Sequence, residues 1–60
     1  MLTHPISLAI WRKIASAPDG WAEQNIPLLA KSALLVYRKC GRNEAQIFIN
    51  LVRACLLTGL

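Results

Sequence analysis

Residues 43–60 read NEAQIFINLVRACLLTGL, and this stretch decides the fold because it is apolar on almost every side. On a helical wheel drawn at about 100° per residue, the side chains of Gln46, Asn50 and Arg53 share one narrow polar stripe. The remaining apolar arc spans on the order of 220°, whereas a helix that docks on one side needs only about 100°. We therefore expect this helix to lie between other helices.

The same stretch indicates where its helix begins and ends. Asn43 is a favourable N-cap residue, and Gln46 three positions later completes the pattern of a capping box. The apolar periodicity continues to the last few residues of the chain. We expect the helix to end near Leu57 or Thr58, with Gly59 as its stop.

The segment that precedes it predicts a second helix that ends at a glycine. Asn25 can cap this helix, and Pro27 suits its first turn, because proline has no N–H group to leave unpaired there. The helix is expected to run to about Cys40, with Gly41 in a left-handed conformation after it. Only about three residues join this helix to the next, so the two should lie as an antiparallel hairpin.

The N-terminal part of the chain predicts one further helix. Pro5 stands in its first turn, and apolar residues recur at helical spacing as far as Ala15. Residues 18–20 (Pro-Asp-Gly) form a turn, and residues 21–24 are expected to form a short helical turn. No alternating strand pattern is present. The sequence thus predicts an all-α fold, in which residues 1–60 form a single small domain built as a bundle of three helices.

The composition indicates that this domain needs a partner. A chain of 60 residues buries only about 60% of the surface that its unfolded state exposes, so its own core is thin. The sequence is 55% hydrophobic and 17% charged, which excludes a disordered tail. We expect a homodimer. The alternative is a monomeric core that leaves some leucines exposed, as folded proteins ordinarily do.

The net charge and the cysteine content limit the kinds of partner and the cellular compartment that we expect. The net charge of +4 is compatible with nucleic acid, an anionic membrane or an acidic protein surface. The N-terminus lacks the pattern of a signal peptide, and Cys40 and Cys55 are expected to pack as small hydrophobic residues in a reducing cytoplasm. The apolar run Ile47–Leu57 is too short for a transmembrane helix, so we expect no membrane span.

Nothing in the sequence predicts catalysis or metal binding. His4 lies at an N-terminus that is expected to fray, and both cysteines lie on apolar helices. Asp19, Glu23 and Glu44 stand at turns or helix starts, where capping is the ordinary role of an acid. No nucleophile has a base at a recognisable spacing, and the cysteines lack the paired spacing of a zinc site. We expect no enzymatic activity, no cofactor and no metal.

Apolar residues remain uncovered once the second and third helices pack together. Leu28 and Leu35, seven positions apart, lie among basic residues on the side of the second helix away from the third. An apolar ridge framed by basic residues suits a protein–protein groove or a dimer seam. The residues expected to bind a partner are Leu28, Leu35, Arg38, Lys39, Val52 and Leu56.

Residues 28–56 also follow a known pattern, in which alanines precede an aromatic and an Asn-led helix ends in Arg and Cys. The matching positions are Ala30, Ala33 and Tyr37, then Asn43, Glu44 and Ala45, then Arg53 and Cys55. In this pattern the chain resembles the ANR family, the small negative regulators of AraC-type transcription activators. The resemblance implies binding to an AraC/XylS-family virulence activator, which blocks its dimerisation or its DNA binding. Histone-like nucleoid proteins are a further partner implied by the family.

Two other functions are compatible with the sequence. A helix, a Gly-containing turn and a second helix outline a helix-turn-helix DNA-binding module, and residues 37–42 are basic. Against it, the start of the third helix offers few polar side chains for base edges, and Glu44 would repel phosphates. A cationic, amphipathic, Trp-containing chain could also act on membranes. Because the turns and caps are those of a folded bundle, we expect neither a membrane nor direct nucleic-acid contact.

Overall fold

A computed structural model describes residues 1–58 of the chain, and within them all regular structure is helical. The helices are α1 (Pro5–Ala15), α2 (Trp21–Gln24), α3 (Ile26–Cys40) and α4 (Arg42–Thr58). The predicted all-α fold is confirmed. The short turn expected at residues 21–24 is a separate helix, so residues 1–58 contain four helices where three were predicted. Gly59, the predicted stop, lies outside the described residues.

The core forms where α3 and α4 make the largest contact between helices, and α1 packs against both of them. Phe48 of α4 and Val36 of α3 are fully buried. The ring of Trp11 meets Phe48 edge to face, with centroids 6.3 Å apart and planes at 83°, an arrangement that aromatic pairs favour. Other buried apolar residues are Leu2, Ile14, Ala22, Leu29 and Ala45. Every helix therefore contributes to one core.

The N-terminal segment is held against α4, so the expectation that it frays is wrong. Leu2 is buried in the core. The backbone N–H groups of Thr3 and His4 donate to Oε2 of Glu44 at 2.8 and 2.9 Å. The hydroxyl of Ser7 donates to the same oxygen. A single acidic side chain of α4 thus fixes the start of α1.

The predicted cap at Asn25 is replaced by a different contact. Its side-chain Nδ2 donates to the carbonyl oxygen of Trp21 at 2.7 Å and makes no cap hydrogen bond to α3. The side chain therefore closes the end of α2 instead of opening α3. Sequence reasoning placed the residue correctly at the boundary but was wrong about its partner, because it did not treat α2 as a helix with carbonyls of its own to satisfy.

The predicted capping box at the start of α4 does not form. The helix begins at Arg42, so Asn43 lies inside the first turn and cannot act as the N-cap. Gln46 donates its side-chain amide to Oδ1 of Asn50 at 3.2 Å, one turn further along the helix. The predicted N-cap was wrong by two residues, because Gly41 precedes the first helical residue and its carbonyl already accepts the N–H of Ala45.

Gly41 joins α3 and α4 as the single residue between them. Its φ of 93° and ψ of 174° fall in a region that is essentially restricted to glycine, and not in the left-handed helical region predicted from sequence. Its N–H group donates to the carbonyl of Tyr37, and its own carbonyl accepts from the N–H of Ala45, both at 3.1 Å. One glycine therefore ends α3 and begins α4.

Replacing Gly41 with alanine is expected to lower the free energy of unfolding by about 1–3 kcal/mol, the cost of a strained backbone conformation. An added Cβ would lie in open space, so the loss would come from the backbone alone. The measurement is urea unfolding followed by circular dichroism. The matched control is D-alanine introduced by chemical synthesis, because the mirror-image residue adopts positive φ without strain. An L-alanine variant as stable as the parent would contradict this account.

Candidate protein-binding surface

An open apolar groove of about 350 Å³ lies between α3 and α4. It is lined by Ile26, Leu29, Ala30 and Ala33 of α3 and by Ile49, Val52, Arg53 and Leu56 of α4. Leu29 is buried and forms the base, whereas Ile26 is 52% exposed and Ile49 is 38% exposed at the rim. We refer to these eight residues as the α3–α4 groove.

The groove is open because two of the α3 residues that line it are alanines. Ala30 and Ala33, three positions apart, lie on the same side of the helix, where longer side chains would fill the space beside α4. One turn further along α3, Leu34 and Tyr37 are exposed as well. Tyr37 is 54% exposed, so it lies outside the packed face of α3. It lies about 90° around the helix from the buried positions.

The exposed charged side chains on α3 and α4 are all positive. All seven Lys and Arg side chains of the protein are exposed, and five of them belong to α3 and α4. These five are Lys31, Arg38, Lys39, Arg42 and Arg53. The exposed acids Asp19 and Glu23 precede α3, and Glu44 is buried. Within residues 26–58 every exposed acidic or basic side chain is therefore a Lys or an Arg. This positive charge favours acidic partners.

A second apolar surface lies on the other side of α3. Leu28 is 48% exposed and Leu35 is 42% exposed, about 160° around the helix from the centre of the groove. Arg38 and Lys39 are exposed on either side of Leu35. We refer to these four residues as the Leu28–Leu35 edge. The two surfaces share α3 but face different directions.

The six residues predicted to bind a partner are divided between these surfaces. Leu28, Leu35, Arg38 and Lys39 form the Leu28–Leu35 edge, while Val52 and Leu56 are half-buried in the α3–α4 groove. The structure does not bring the two sets together. The sequence did not predict the other six groove residues, which are Ile26, Leu29, Ala30, Ala33, Ile49 and Arg53. A wheel of one helix could not identify them, because the groove exists only where two helices meet.

Glu44 serves the fold and faces away from solvent. A hydrogen bond from the Ser7 hydroxyl is the largest cause that lowers the pKa of Glu44, followed by the N–H of His4, and Thr3 lowers it further through its N–H and hydroxyl. Burial opposes these contacts, and the net result is a pKa of about 2, below the ordinary 4.5. The ionised carboxylate therefore acts as the acceptor that holds α1 onto α4.

The remaining polar groups have structural roles or no site geometry. Nδ1 of His4 accepts the N–H of Ile6 at 3.1 Å and caps α1. Among residues 1–58, no three His, Cys, Asp or Glu side chains are grouped so that they could hold a metal ion. In the same part of the chain, every helix falls short of the length and hydrophobicity required to cross a bilayer.

Comparisons with known proteins add no assignment. The chain matches no protein-family model, no curated protein and no solved structure. The features of the molecule that bear on its function are therefore the groove, the Leu28–Leu35 edge and the cationic character of α3 and α4.

Proposed function

We propose that this protein is a cytoplasmic negative regulator of transcription that binds an AraC/XylS-family activator through its helices, as the resemblance to the ANR family implies. Binding blocks dimerisation of the activator or its contact with DNA. The observation that carries the proposal is the open α3–α4 groove, which is apolar apart from Arg53; Leu34 and Tyr37, further along α3, are exposed as well. Contiguous exposed apolar surface of this kind marks sites of protein interaction. Histone-like nucleoid proteins are a second class of partner.

The energetics of the groove support a protein partner. Completely covering one Ile or Leu side chain contributes about 1.5–3 kcal/mol. Ile26, Ile49 and Leu34 are each between about one-third and one-half exposed, so covering all three would contribute several kcal/mol. Such a contribution is large beside the stability expected for a small domain. A partner that covers the groove would therefore also stabilise this chain.

We further propose that α1, α3 and α4 act as a three-helix bundle, with α3 and α4 as an antiparallel hairpin, and that two copies pair along the Leu28–Leu35 edge. Leucines seven positions apart recur on one side of a helix, as in helical dimer seams. Arg38 and Lys39 stand at the rim of this edge, where they remain exposed. Repulsion between exposed charges is screened beyond about 8 Å at physiological salt.

Replacing Leu35 with aspartate is expected to weaken the dimer, because an isologous interface would bury the new charge twice. Light scattering of the purified chain would show the parent as a dimer and the variant shifted toward monomer at the same concentration. The matched control is Ala9→Asp, which places the same charge at an exposed position of α1. If parent and variant are both monomers, the Leu28–Leu35 edge is not a dimer seam.

The proposal is tested by co-purifying the chain with an AraC/XylS-family activator on size exclusion. We expect a stable complex with the parent chain and loss of the complex with Ala30→Gln. Ala30 is exposed, and glutamine is a good helix former, so the variant fills the groove without disturbing the core. Complete absence of a complex with the parent chain at micromolar concentrations would contradict the proposal.

DNA binding is the second candidate function, because Glu44 is buried and bonded and does not face phosphates as expected from sequence. Arg42, Asn43 and Gln46 are exposed near the start of α4. Only Gly41 separates α3 from α4, however, whereas a helix-turn-helix uses a turn of about 3–4 residues. DNA binding must weaken steeply with salt. A gel that shows no shift even at low salt removes this candidate.

A further inference from the structure

We propose that the α3–α4 groove receives a single amphipathic helix, with apolar anchors along the groove and an acidic side chain paired to Arg53. This inference rests on the proposed function to the extent that the chain acts by contact with a protein. It adds what that function leaves open, which is the secondary structure and the charge of the segment that binds.

The length of the α3–α4 groove fits a helix. From Ile26 to Ala33 the groove follows α3 for seven positions, or about 10 Å at about 1.5 Å per residue. That length matches about two turns of a partner helix, which would place apolar side chains at positions i, i+4 and i+7. α3 and α4 supply the two walls, and buried Leu29 supplies the base.

The charge of the groove selects an acidic helix. Arg53 lines the groove and is exposed, and no exposed side-chain carboxylate lies on α3 or α4 within residues 26–58. A guanidinium group binds a carboxylate through two parallel hydrogen bonds, which adds specificity to the apolar contact. An acidic residue beside the apolar anchors would therefore find its partner at Arg53.

The same features disfavour other occupants. A second copy docked groove to groove would bury Arg53 beside its symmetry mate, with no carboxylate of α3 or α4 to compensate. A small molecule needs a site that encloses about 70–90% of its surface. Here the rim residues Ile26 and Ile49 are themselves substantially exposed, so the groove is too open for that.

The test is selection from a displayed library of helical peptides against the full 60-residue chain. Each peptide carries leucine or isoleucine at i, i+4 and i+7, and the flanking positions are randomised. We expect Asp and Glu to be enriched at flanking positions on one side of the apolar anchors. A selected peptide, made synthetically, should bind Arg53→Glu about thirtyfold more weakly than the parent, the loss expected for a buried charge pair.

Two further variants keep the result interpretable. Lys31→Glu makes the same charge change on α3 about 150° away from the groove, and its affinity should fall less than about threefold. Ala30→Gln blocks the groove without a charge change and should abolish binding. All three positions are exposed, so helix content by circular dichroism should match the parent.

The inference is overturned if no peptide is enriched, if the selected peptides lack acidic residues, or if Arg53→Glu and Ala30→Gln bind them as the parent does. These outcomes are separate from failure of the proposed function, because no activator is present in the selection. A groove that binds acidic helices in a chain that binds no activator would retain the inference and remove the regulator. If the chain binds an activator but the library shows no preference for acidic residues, the regulator is retained and the inference is removed.

Discussion

Replacing Phe48 with alanine is expected to leave the protein largely unfolded at 25 °C. The side chain is fully buried and contacts Trp11 edge to face. Truncating a buried phenylalanine typically costs about 3–5 kcal/mol, because the apolar contacts are lost and a cavity remains. A single core in a domain below about 70–80 residues rarely supplies more than about 3–5 kcal/mol. One substitution therefore removes most or all of the margin.

The measurement is helix content by circular dichroism together with the midpoint of urea unfolding. Tyr37→Ala is the matched control, because it also truncates an aromatic side chain on a helix, but this side chain is 54% exposed. That variant should stay within about 0.5 kcal/mol of the parent, as exposed substitutions usually do. Equal midpoints for the Phe48 and Tyr37 variants would mean that the core is not centred on Phe48.

Replacing Glu44 with glutamine is expected to be the most damaging change of a polar residue. The carboxylate accepts from the N–H groups of Thr3 and His4 and from the hydroxyls of Ser7 and Thr3. Glutamine has one acceptor oxygen, and its amide would point N–H donors at the donors of the N-terminal segment. The start of α1 and Leu2 should therefore detach from α4, which faster hydrogen exchange at residues 2–8 would reveal.

The pH dependence of stability gives a second readout for Glu44. Its pKa is about 2 in the folded protein against an ordinary value of 4.5. Between these values the unfolded chain binds a proton that the folded chain does not. The contribution of Glu44 is therefore fully present above pH 4.5 and is lost as pH falls toward about 2. Glu44→Gln cannot titrate, so the stability difference from the parent should shrink across this window.

Glu23→Gln is the control for both experiments, because Glu23 is exposed on α2. Its stability curve should follow that of the parent at every pH. If instead the curves of the parent and Glu44→Gln run parallel from pH 4.5 down to 2, the carboxylate is not the anchor described here.

Much of the helical framework could be predicted from local sequence. Pro5 and Gly41 mark helix boundaries through backbone chemistry that needs no tertiary context, and α1 begins at Pro5 and α3 ends at Cys40 as predicted. The errors fall where a polar side chain finds a distant partner. Glu44 was assigned to a local helix end, but it bonds residues about forty positions away. No local rule could reveal that contact.

The candidate surface was predictable only in part. Leu28 and Leu35 are exposed beside basic residues, as the wheel of α3 predicts. The α3–α4 groove depends on how two helices pack and on where alanines replace larger side chains, so its lining was mostly missed. Nothing in the sequence marks Ala30 as part of a binding surface. It matters because its short side chain leaves space between α3 and α4.

The most direct measurement of the central claim, regulation by contact, is titration of an activator–DNA complex followed by fluorescence anisotropy of labelled DNA. We expect the parent chain to release the DNA in a saturable manner, and Ala30→Gln to leave it bound at the same concentrations. The chain alone should give no anisotropy change at physiological salt. An activator whose DNA affinity is unchanged at saturating concentrations of the parent chain would contradict the account.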